Sequence, residues 1–429
     1  MKRHLIGIGG VGMSALATAL VRLGDEVTGA DRTLGTPNIK FLESLGVKVY
    51  PDDGSGVDSS TDEVIVSTAI EETNAGLIKA KELGIPVTHR AKALARTLKD
   101  YKLVAVVGTC GKSTVTAMLG HVLAECGFDP MCVNGANVPG WEGAVRFGKG
   151  EYAVAEVDES DKSLVAFKPY AAIVTNASAD HYSKEEMDEV FDAFVRDCEG
   201  PVVDGRRQVA GLQGCKVAEL QAVLPLPGKH NLQNAIMAVL MAEALGVPEG
   251  KAIEAMRTFQ GVERRLQLIS KPCNLETLQP CNLATLQPSF SVYDDYAHNP
   301  EKLKAMWTTL AEKHPEGICV IWRPHGYAPL RKMMDALAAM FAETVRPCDK
   351  LLLLPVYDAG GTTDRSVSSS DLLEKVKVRG EGEQRIELVS DLDEAYVWCK
   401  AHKGEYAAFV TCGARDPGLP VLAKRLSEM

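Results

Sequence analysis

A glycine-rich run between an apolar stretch and a helical pattern constrains the fold of this chain most strongly. Residues 103–107 are all apolar and predict a buried strand, and residues 115–126 predict a helix. Residues 108–114, between them, read Gly-Thr-Cys-Gly-Lys-Ser-Thr. Glycines at such a turn let backbone N–H groups face an anion, and the helix N-terminus adds about half a positive charge. The run predicts a nucleoside-triphosphate site on an α/β domain.

The lysine of this loop can reach the outer phosphates, and a hydroxyl beside it can join a Mg²⁺ shell. The usual phosphate-loop pattern has a glycine at position 106, where this chain has Val106, so the match is to a shorter variant. A tight structural turn is the alternative. The candidate ATP-binding residues of the loop are Gly108, Thr109, Gly111, Lys112, Ser113 and Thr114.

A second glycine loop, residues 7–12, fits the pattern G-x-G-x-x-G. A strand is predicted before it and a helix after it, and Asp31 follows about 20 residues later, as in the dinucleotide-binding fingerprint. The loop chemistry specifies only a diphosphate at a helix N-terminus. NAD, a UDP-sugar and a close-packed structural turn therefore all remain open at this point.

An acidic run, residues 156–161, ends a predicted buried strand. Four carboxylates in six residues repel one another unless cations lie among them. Mg²⁺ binds through one or two carboxylates together with phosphates, so Glu156 is a candidate ligand. His181 follows the next predicted strand, at the edge where open α/β sheets bind ligands. A solvated loop is the alternative for the acidic run, and a structural histidine for His181.

Composition excludes several classes of protein. A net charge of −10 argues against nucleic-acid binding as the main function. The sequence contains no run of about 18 apolar residues, so it predicts no membrane span. The N-terminal residues predict a first strand and not a signal peptide. The eleven cysteines form no Cys-x-x-Cys pair, which disfavours a zinc site or a disulfide framework and favours a reducing cytoplasm.

Alternating strand and helix patterns predict an α/β protein of three domains, each with a mainly parallel sheet and flanking helices. The expected limits are 1–98, 99–289 and 290–429, with an N-terminal Rossmann-like domain, a central P-loop ATPase-like domain and a C-terminal Rossmann-like domain. Residues 200–228 are expected to be irregular. Residues 273–288 contain an eight-residue near repeat, which we interpret as a duplicated loop insertion.

Together these pieces resemble the Mur ligase family, and within it the alanine-adding branch. The resemblance covers essentially the whole chain. It is carried by residues 7–14, 108–114, 156–161, 175–176 with 179–181, 228–231 with 234–235, 264–265, 294–300, and 324–325 with 327. It implies an ADP-forming ligase of peptidoglycan synthesis, in which ATP phosphorylates the carboxylate of a UDP-N-acetylmuramate-type substrate. The amine of an amino acid, L-alanine by default, then attacks the acyl phosphate.

The resemblance also implies roles for individual residues. Lys112, Glu156 and His181 would be catalytic, and Ser113, Glu156 and His181 would hold Mg²⁺. The further ATP contacts would be His230, Asn234, Arg265, Asp294 and Asp295. The UDP-linked substrate would contact Gly9, Gly10, Val11, Gly12, Met13, Asp31 and Ser67. The acceptor side would comprise His298, Asn299, His325, Tyr327 and Arg331, and the third domain would close over the site.

Departures from the family pattern lie in the nucleotide loop and on the acceptor side. The alanine-adding branch has His where this chain has Cys110, and arginines where it has Gly326 and Pro329. Alternatives therefore stay open: a paralogue with another substrate, for example in peptide recycling, an NAD-dependent dehydrogenase, or a non-catalytic nucleotide-binding protein. The expected partners are the small-molecule substrates, with no nucleic acid and no membrane, and the expected assembly is a monomer or homodimer.

Overall fold

The computed structural model describes residues 1–158, 163–177, 184–207, 215–269, 290–358, 364–379 and 385–429. They form two compact units. The first comprises Met1–Leu226 and His230–Val262, and the second Pro227–Lys229 and Glu263–Met429. Two sheets lie in the first unit and one in the second, and parallel pairs predominate in all three. The predicted α/β fold class is confirmed, whereas the predicted domain limits stay predictions.

The first sheet follows directly from the alternation seen in the sequence. Its strands are β1 (Lys2–Ile6), β2 (Glu26–Asp31), β3 (Lys48–Pro51), β4 (Glu63–Val66) and β5 (Val87–His89). They are all parallel, in the order β3-β2-β1-β4-β5. The helices of this part are α1 (Val11–Arg22), α2 (Pro37–Ser44), α3 (Ala75–Glu82) and α4 (Arg90–Thr97).

The central sheet carries the lysine-containing loop. Its strands are β6 (Lys102–Val107), β7 (Met131–Val133), β8 (Val145–Arg146), β9 (Tyr152–Glu156), β10 (Ala171–Val174) and β11 (Val202–Asp204). Their order is β11-β10-β6-β9-β7-β8, with only the β7–β8 pair antiparallel. The helices are α5 (Lys112–Glu125), α6 (Lys184–Arg196), α7 (Cys215–Val223), α8 (Lys229–Ala244) and α9 (Glu249–Ala255).

Two expectations for the central part are corrected. Residues 200–228 are not simply irregular, because they contain β11 and α7. The strand has only three residues and lies at the sheet edge, so its hydrophobic pattern is too short to read. Helix α5 begins at Lys112, three residues earlier than predicted. Gly111 occupies the left-handed region (φ +85°) as its N-cap, so the lysine and hydroxyl residues belong to the first helical turn.

In both sheets of the first unit, successive side chains of the central strand point to opposite faces of the sheet, and apolar residues cover both faces. On β1, Leu5 and Ile6 point to opposite faces and pack in different apolar clusters. On β6, Ala105 and Val106 do the same, and Ala105 packs in the same cluster as Leu5. One continuous core therefore joins one face of each sheet. Burial on both faces is typical of parallel sheets, and it leaves the strand ends as the places for ligands.

The second unit contains the third sheet. Its strands are β12 (Gln267–Leu268), β13 (Ser291–Asp295), β14 (Ile318–Trp322), β15 (Lys350–Leu353), β16 (Ile386–Leu388) and β17 (Ala408–Cys412). The order is β12-β13-β17-β14-β15-β16, with only β12 antiparallel to its neighbour. The helices are α10 (Pro300–Lys313), α11 (Tyr327–Thr344), α12 (Ser369–Val378), α13 (Leu392–Ala401) and α14 (Gly418–Leu426).

Side-chain caps fix several helix starts in the second unit. Asn299 accepts a hydrogen bond from the Lys302 N–H at the start of α10, and Pro300 occupies the first turn. Ser368 and Asp371 form a reciprocal capping box on α12. Within the described ranges, no helix combines the length and apolarity that crossing a membrane requires. The duplicated loop at 273–288 lies outside the described residues.

Candidate nucleotide and substrate sites

The lysine-containing loop lies at the carboxyl end of β6, between β9 and β10. Gly108 and Gly111 have φ values of +126° and +85°, where an L side chain is strained. A Cβ on Gly108 would collide with the Thr175 hydroxyl, and a Cβ on Gly111 would lie 2.6 Å from Oδ1 of Asn234. Both glycines are therefore required by conformation and by close packing, as the sequence predicted for an anion-binding turn.

Two residues that follow β10 hold this loop in shape. The Asn176 side-chain oxygen accepts hydrogen bonds from the Thr109 hydroxyl (2.6 Å) and the Cys110 N–H (2.9 Å). Its amide nitrogen donates to the Cys110 carbonyl at 3.0 Å, and the Thr175 hydroxyl donates to the same carbonyl at 2.6 Å. From the sequence, Thr175 and Asn176 are only part of the pattern that carries the family resemblance. The structure gives them a function as braces of the loop.

The charged and hydroxyl groups of the loop stand at the start of α5. Lys112 Nζ donates to the Gly108 carbonyl at 2.7 Å, so the ammonium folds back over the loop. The Ser113 and Thr114 side chains are buried. Asn234, on α8, is buried against Gly111, and the half-buried His230 is on the first turn of the same helix. The loop and Asn234, one of the predicted ATP contacts, are thus neighbours in space.

Glu156 ends β9, the strand beside the loop. Its Oε2 accepts the Gly135 N–H at 2.8 Å, and a Cβ on Gly135 would collide with the carboxylate. Gly135 follows β7, another strand of the sheet, so no sequence motif predicts this contact. His181 and residues 159–161 of the acidic run lie outside the described residues. Among the residues that are described, no cluster of three or more His, Cys, Asp or Glu side chains could hold a metal.

The first glycine loop lies at the carboxyl end of β1, the central strand of its sheet. Asp31, at the end of β2, accepts the Gly9 N–H at 2.8 Å and the Thr33 N–H at 3.0 Å. The Asn38 amide donates to the Gly9 carbonyl at 2.9 Å. The predicted glycine turn is therefore present, and Asp31 stabilises it. The assignment of Asp31 to the substrate stays a prediction.

The other residues predicted to contact the UDP-linked substrate lie on either side of this loop. Gly10 is the N-cap of α1 and makes no side-chain cap, and Val11 is exposed. The Met13 side chain is buried in the core, so only its backbone could face a ligand. Ser67 is half-buried just after β4, beside β1. The sequence motifs do not predict that Arg90 lies at this loop. In the structure, its Nη1 would be 3.0 Å from a Cβ on Gly12.

In the second unit, the two carboxylates predicted to contact ATP accept hydrogen bonds from protein groups. Asp294 is fully buried. It accepts Nε of Arg264 at 3.0 Å and the Thr411 hydroxyl at 2.7 Å. Burial raises the pKa of Asp294 to about 6, against the lowering effect of the Arg264 charge. Asp295 accepts the N–H groups of Leu266 and Ala297, both at 2.7 Å.

Arg264, the partner of Asp294, and the next residue, Arg265, both lie over the ring of Tyr296. Arg264 also donates to the Gly413 carbonyl at 2.6 Å, and the guanidinium of Arg265 lies 4.7 Å from the ring centre of Tyr296. Arg264 has a φ of +59°, an uncommon value for a residue with a side chain. Arg265 therefore stands beside an aromatic face, an arrangement that suits a phosphate contact. Its role and those of Asp294 and Asp295 stay predictions.

The predicted acceptor-side residues fall into three places. His298 and His325 contact edge to face, with ring centres 4.8 Å apart. The buried Asn299 caps α10, as described above. Tyr327 begins α11, and Arg331 is one turn further on. Arg331 donates to the Asp364 carbonyl at 3.0 Å and forms an ion pair of 2.7 Å with its carboxylate. The two histidines are thus brought together, whereas Arg331 is directed to an acidic loop residue.

Comparisons with known proteins agree with this architecture. Residues 2–102 match the model of the Mur ligase family, catalytic domain, and residues 283–415 that of the Mur ligase, glutamate ligase domain. UDP-N-acetylmuramate–L-alanine ligase of Nitrosomonas eutropha is 30% identical over 98% of this chain and 96% of its own length. The protein of the same name from Rubrobacter xylanophilus is 34% identical over 88% and 89%.

Solved structures share the fold. The crystal structure of UDP-N-acetylmuramate-alanine ligase MurC from Thermotoga maritima covers the whole chain with a TM-score of 0.79 and 24% identity, and 98% of that chain is matched. A murein peptide ligase from Psychrobacter arcticus covers 99% of this chain and 98% of its own, with a TM-score of 0.65 and 18% identity. With relatives at 30% identity and above along nearly all of its length, the chain belongs to the Mur ligase family.

Proposed function

We propose that the chain joins an amino acid, L-alanine as the first candidate, to the carboxylate of UDP-N-acetylmuramate in peptidoglycan synthesis, with ATP converted to ADP and phosphate. Membership of the Mur ligase family makes it an ATP-dependent, amide-forming ligase. The observation that carries the proposal is the loop of residues 108–114, held by Asn176 beside Glu156 at one sheet edge.

The loop supplies what phosphoryl transfer requires. Two anions, the carboxylate of the substrate and the γ-phosphate, must approach each other, so positive charge has to compensate for their repulsion. The backbone N–H groups at the start of α5 and the Lys112 ammonium are the donors for this. Lys112 bonds a carbonyl of its own loop at present, and we expect it to turn to the β- and γ-phosphates when ATP binds.

Mg²⁺ fits the side chains at this edge. The carboxylate of Glu156 and the hydroxyl of Ser113 are hard oxygen donors of the kind that Mg²⁺ prefers, and phosphate oxygens and water would complete its shell. Bound there, the ion would neutralise charge on the transferring phosphoryl group. Gly135 fixes the Glu156 carboxylate through its N–H. His181 remains a proposed further ligand.

The first domain is proposed to bind the UDP part of the substrate. The Gly9 and Gly10 turn and the uncapped start of α1 offer N–H groups to a diphosphate. Arg90, half-buried beside Gly12, adds a guanidinium, which suits bidentate phosphate contacts. These features favour a diphosphate without specifying a nicotinamide, and family membership argues against the dehydrogenase alternative.

Phosphate release tests the proposal. Purified protein is incubated with ATP, Mg²⁺ and UDP-N-acetylmuramate, and with L-alanine, glycine, L-serine, D-alanine or a murein tripeptide as acceptor. We expect release that requires all components and is greatest with one L-amino acid. Titration calorimetry with UDP-N-acetylmuramate and with NADH is the companion experiment. Tight NADH binding without UDP-sugar binding, or no acceptor-dependent release, would contradict the proposed function.

A further inference from the structure

We infer that Arg415 binds the carboxylate of the incoming amino acid, in the position that the alanine-adding branch gives to arginines at 326 and 329. The inference rests on the proposed function, since it names the specificity residue of that reaction. Neither the glycine-rich loops nor the motifs that carry the family resemblance point to Arg415. It becomes a candidate only through its position in the folded second unit.

The two loops concerned leave adjacent strands at the same sheet edge. Strand β14 is parallel to β17, with Trp322 paired to Cys412. Gly326 follows β14 and Arg415 follows β17. The atoms nearest to a Cβ on Gly326 would be those of the Pro329 ring, at 3.4 Å, and then Nη1 of Arg415, at 3.9 Å. The guanidinium of Arg415 therefore lies in van der Waals contact with the place where a side chain at position 326 would start.

Arg415 differs in charge pairing from three other arginines that follow β14 and β15. The three neighbours each have a carboxylate partner: Arg323 with Asp416 at 2.5 Å, Arg331 with Asp364 at 2.7 Å and Arg365 with Asp358 at 2.7 Å. Arg415 is exposed. No hydrogen bond or ion pair connects it to another residue in the described ranges. A ligand can therefore approach its guanidinium without first breaking an ion pair.

The reaction needs such a group. The amine of the amino acid attacks the acyl phosphate, so its α-carboxylate does not react and stays ionised. Arginine matches a carboxylate with two parallel N–H donors, which a single lysine ammonium cannot reproduce. This chain has Gly326 and Pro329 where the alanine-adding branch has arginines. A cation from another loop therefore has to make this contact, and Arg415 lies beside Gly326.

Two acceptors separate carboxylate recognition from general effects. L-alanine carries the carboxylate, and L-alaninamide carries a neutral amide in its place. We expect Arg415→Ala to lower kcat/KM for L-alanine about 10- to 100-fold, as for a charge-assisted hydrogen bond, mainly through KM. The values for L-alaninamide, ATP and UDP-N-acetylmuramate should change less than threefold. Arg415→Lys should recover part of the loss.

Arg425→Ala is the matched control, because Arg425 is half-buried at the surface of the same unit, where it pairs with Asp393 and lies over the Tyr396 ring. It should leave both acceptors unaffected. An equal loss with L-alanine and L-alaninamide, or a loss below threefold with L-alanine, would overturn the assignment to Arg415. An alanine-specific loss in Arg331→Ala with none in Arg415→Ala would overturn it as well and transfer the function to Arg331.

A separate assay, trapping of the acyl phosphate with hydroxylamine, tests the proposed function independently of the assignment to Arg415. Hydroxylamine traps an acyl phosphate whether or not an amino acid is present. Wild-type protein that forms no hydroxamate from ATP and UDP-N-acetylmuramate would contradict the proposed reaction. Hydroxamate formation that is equal in wild type and Arg415→Ala, together with the alanine-specific loss, would support both the reaction and the assignment.

Discussion

Removal of the Asn176 side chain should disable the ATP loop without unfolding the protein. Asn176→Ala deletes two acceptor bonds, from the Thr109 hydroxyl and the Cys110 N–H, and one donor bond to the Cys110 carbonyl. Thr175 still donates to that carbonyl. The loop would therefore lose its connection to β10 on one side, while the sheet and α5 keep their own hydrogen bonds.

The size of the effect follows from these three bonds. Each is worth about 1 kcal/mol net, so together they favour the observed loop conformation by about 3 kcal/mol. Asn176 is half-buried, so water replaces part of this, and about 1.5–3 kcal/mol remains. At tenfold for each 1.4 kcal/mol, kcat/KM for ATP should fall about 10- to 100-fold.

Steady-state phosphate release with ATP as the varied substrate measures this effect, and chemical denaturation measures stability. Asn74→Ala is the matched control. Asn74 caps α3 by accepting the Leu77 N–H at 3.1 Å, and its amide donates to Asp52 at 2.9 Å. Loss of such a cap costs about 1 kcal/mol of stability in the same unit, but it leaves the ATP loop untouched.

Two outcomes would refute this reasoning. One is a change below threefold in kcat/KM for ATP in Asn176→Ala, which would mean that the brace does not set the loop conformation. The other is an equal loss of activity in Asn176→Ala and Asn74→Ala, which would mean that reduced stability accounts for the effect. A fall in the kcat/KM for ATP that is confined to Asn176→Ala would support the brace.

Three further predictions concern single residues. Lys112→Ala should lower kcat about 10²- to 10³-fold through loss of transition-state charge stabilisation with an unchanged circular dichroism spectrum, and turnover within threefold of wild type would contradict its role. Arg90→Ala should raise KM for UDP-N-acetylmuramate about tenfold and leave KM for ATP unchanged, whereas equal effects on both would argue against a diphosphate contact. Burial lowers the pKa of His4 from 6.5 to about 4, so His4 contributes stability above pH 6.5 that is lost as the pH falls towards 4. Of about 3 kcal/mol in total, about 2 kcal/mol should be lost by pH 5. Urea denaturation of wild type and His4→Gln at pH 7.5 and pH 5 should give changes in stability with pH that differ by this amount, and equal pH dependence in both would contradict it.

Short-range patterns in the sequence determined the elements around both glycine loops. The glycines of residues 7–12 and 108–114, each between an apolar strand and a helix, predicted two anion-binding turns, and the structure has glycines with positive φ in both. Alternation of strands and helices predicted parallel sheets correctly. These features are local, because backbone sterics and hydrophobic periodicity act over a few residues. Short strands such as β11 were missed for the same reason.

Only the tertiary structure decided which distant residues meet at the sites. Asn176 braces Cys110 from 66 residues away, and Gly135 holds Glu156 from 21 residues away. Arg415 reaches the flank of Gly326 because β17 lies beside β14. A list of strands does not fix their order in a sheet, and it is this order that determines which loops become neighbours at the carboxyl edge. The sequence thus determined the two loops, whereas the strand order decided what supports and surrounds them.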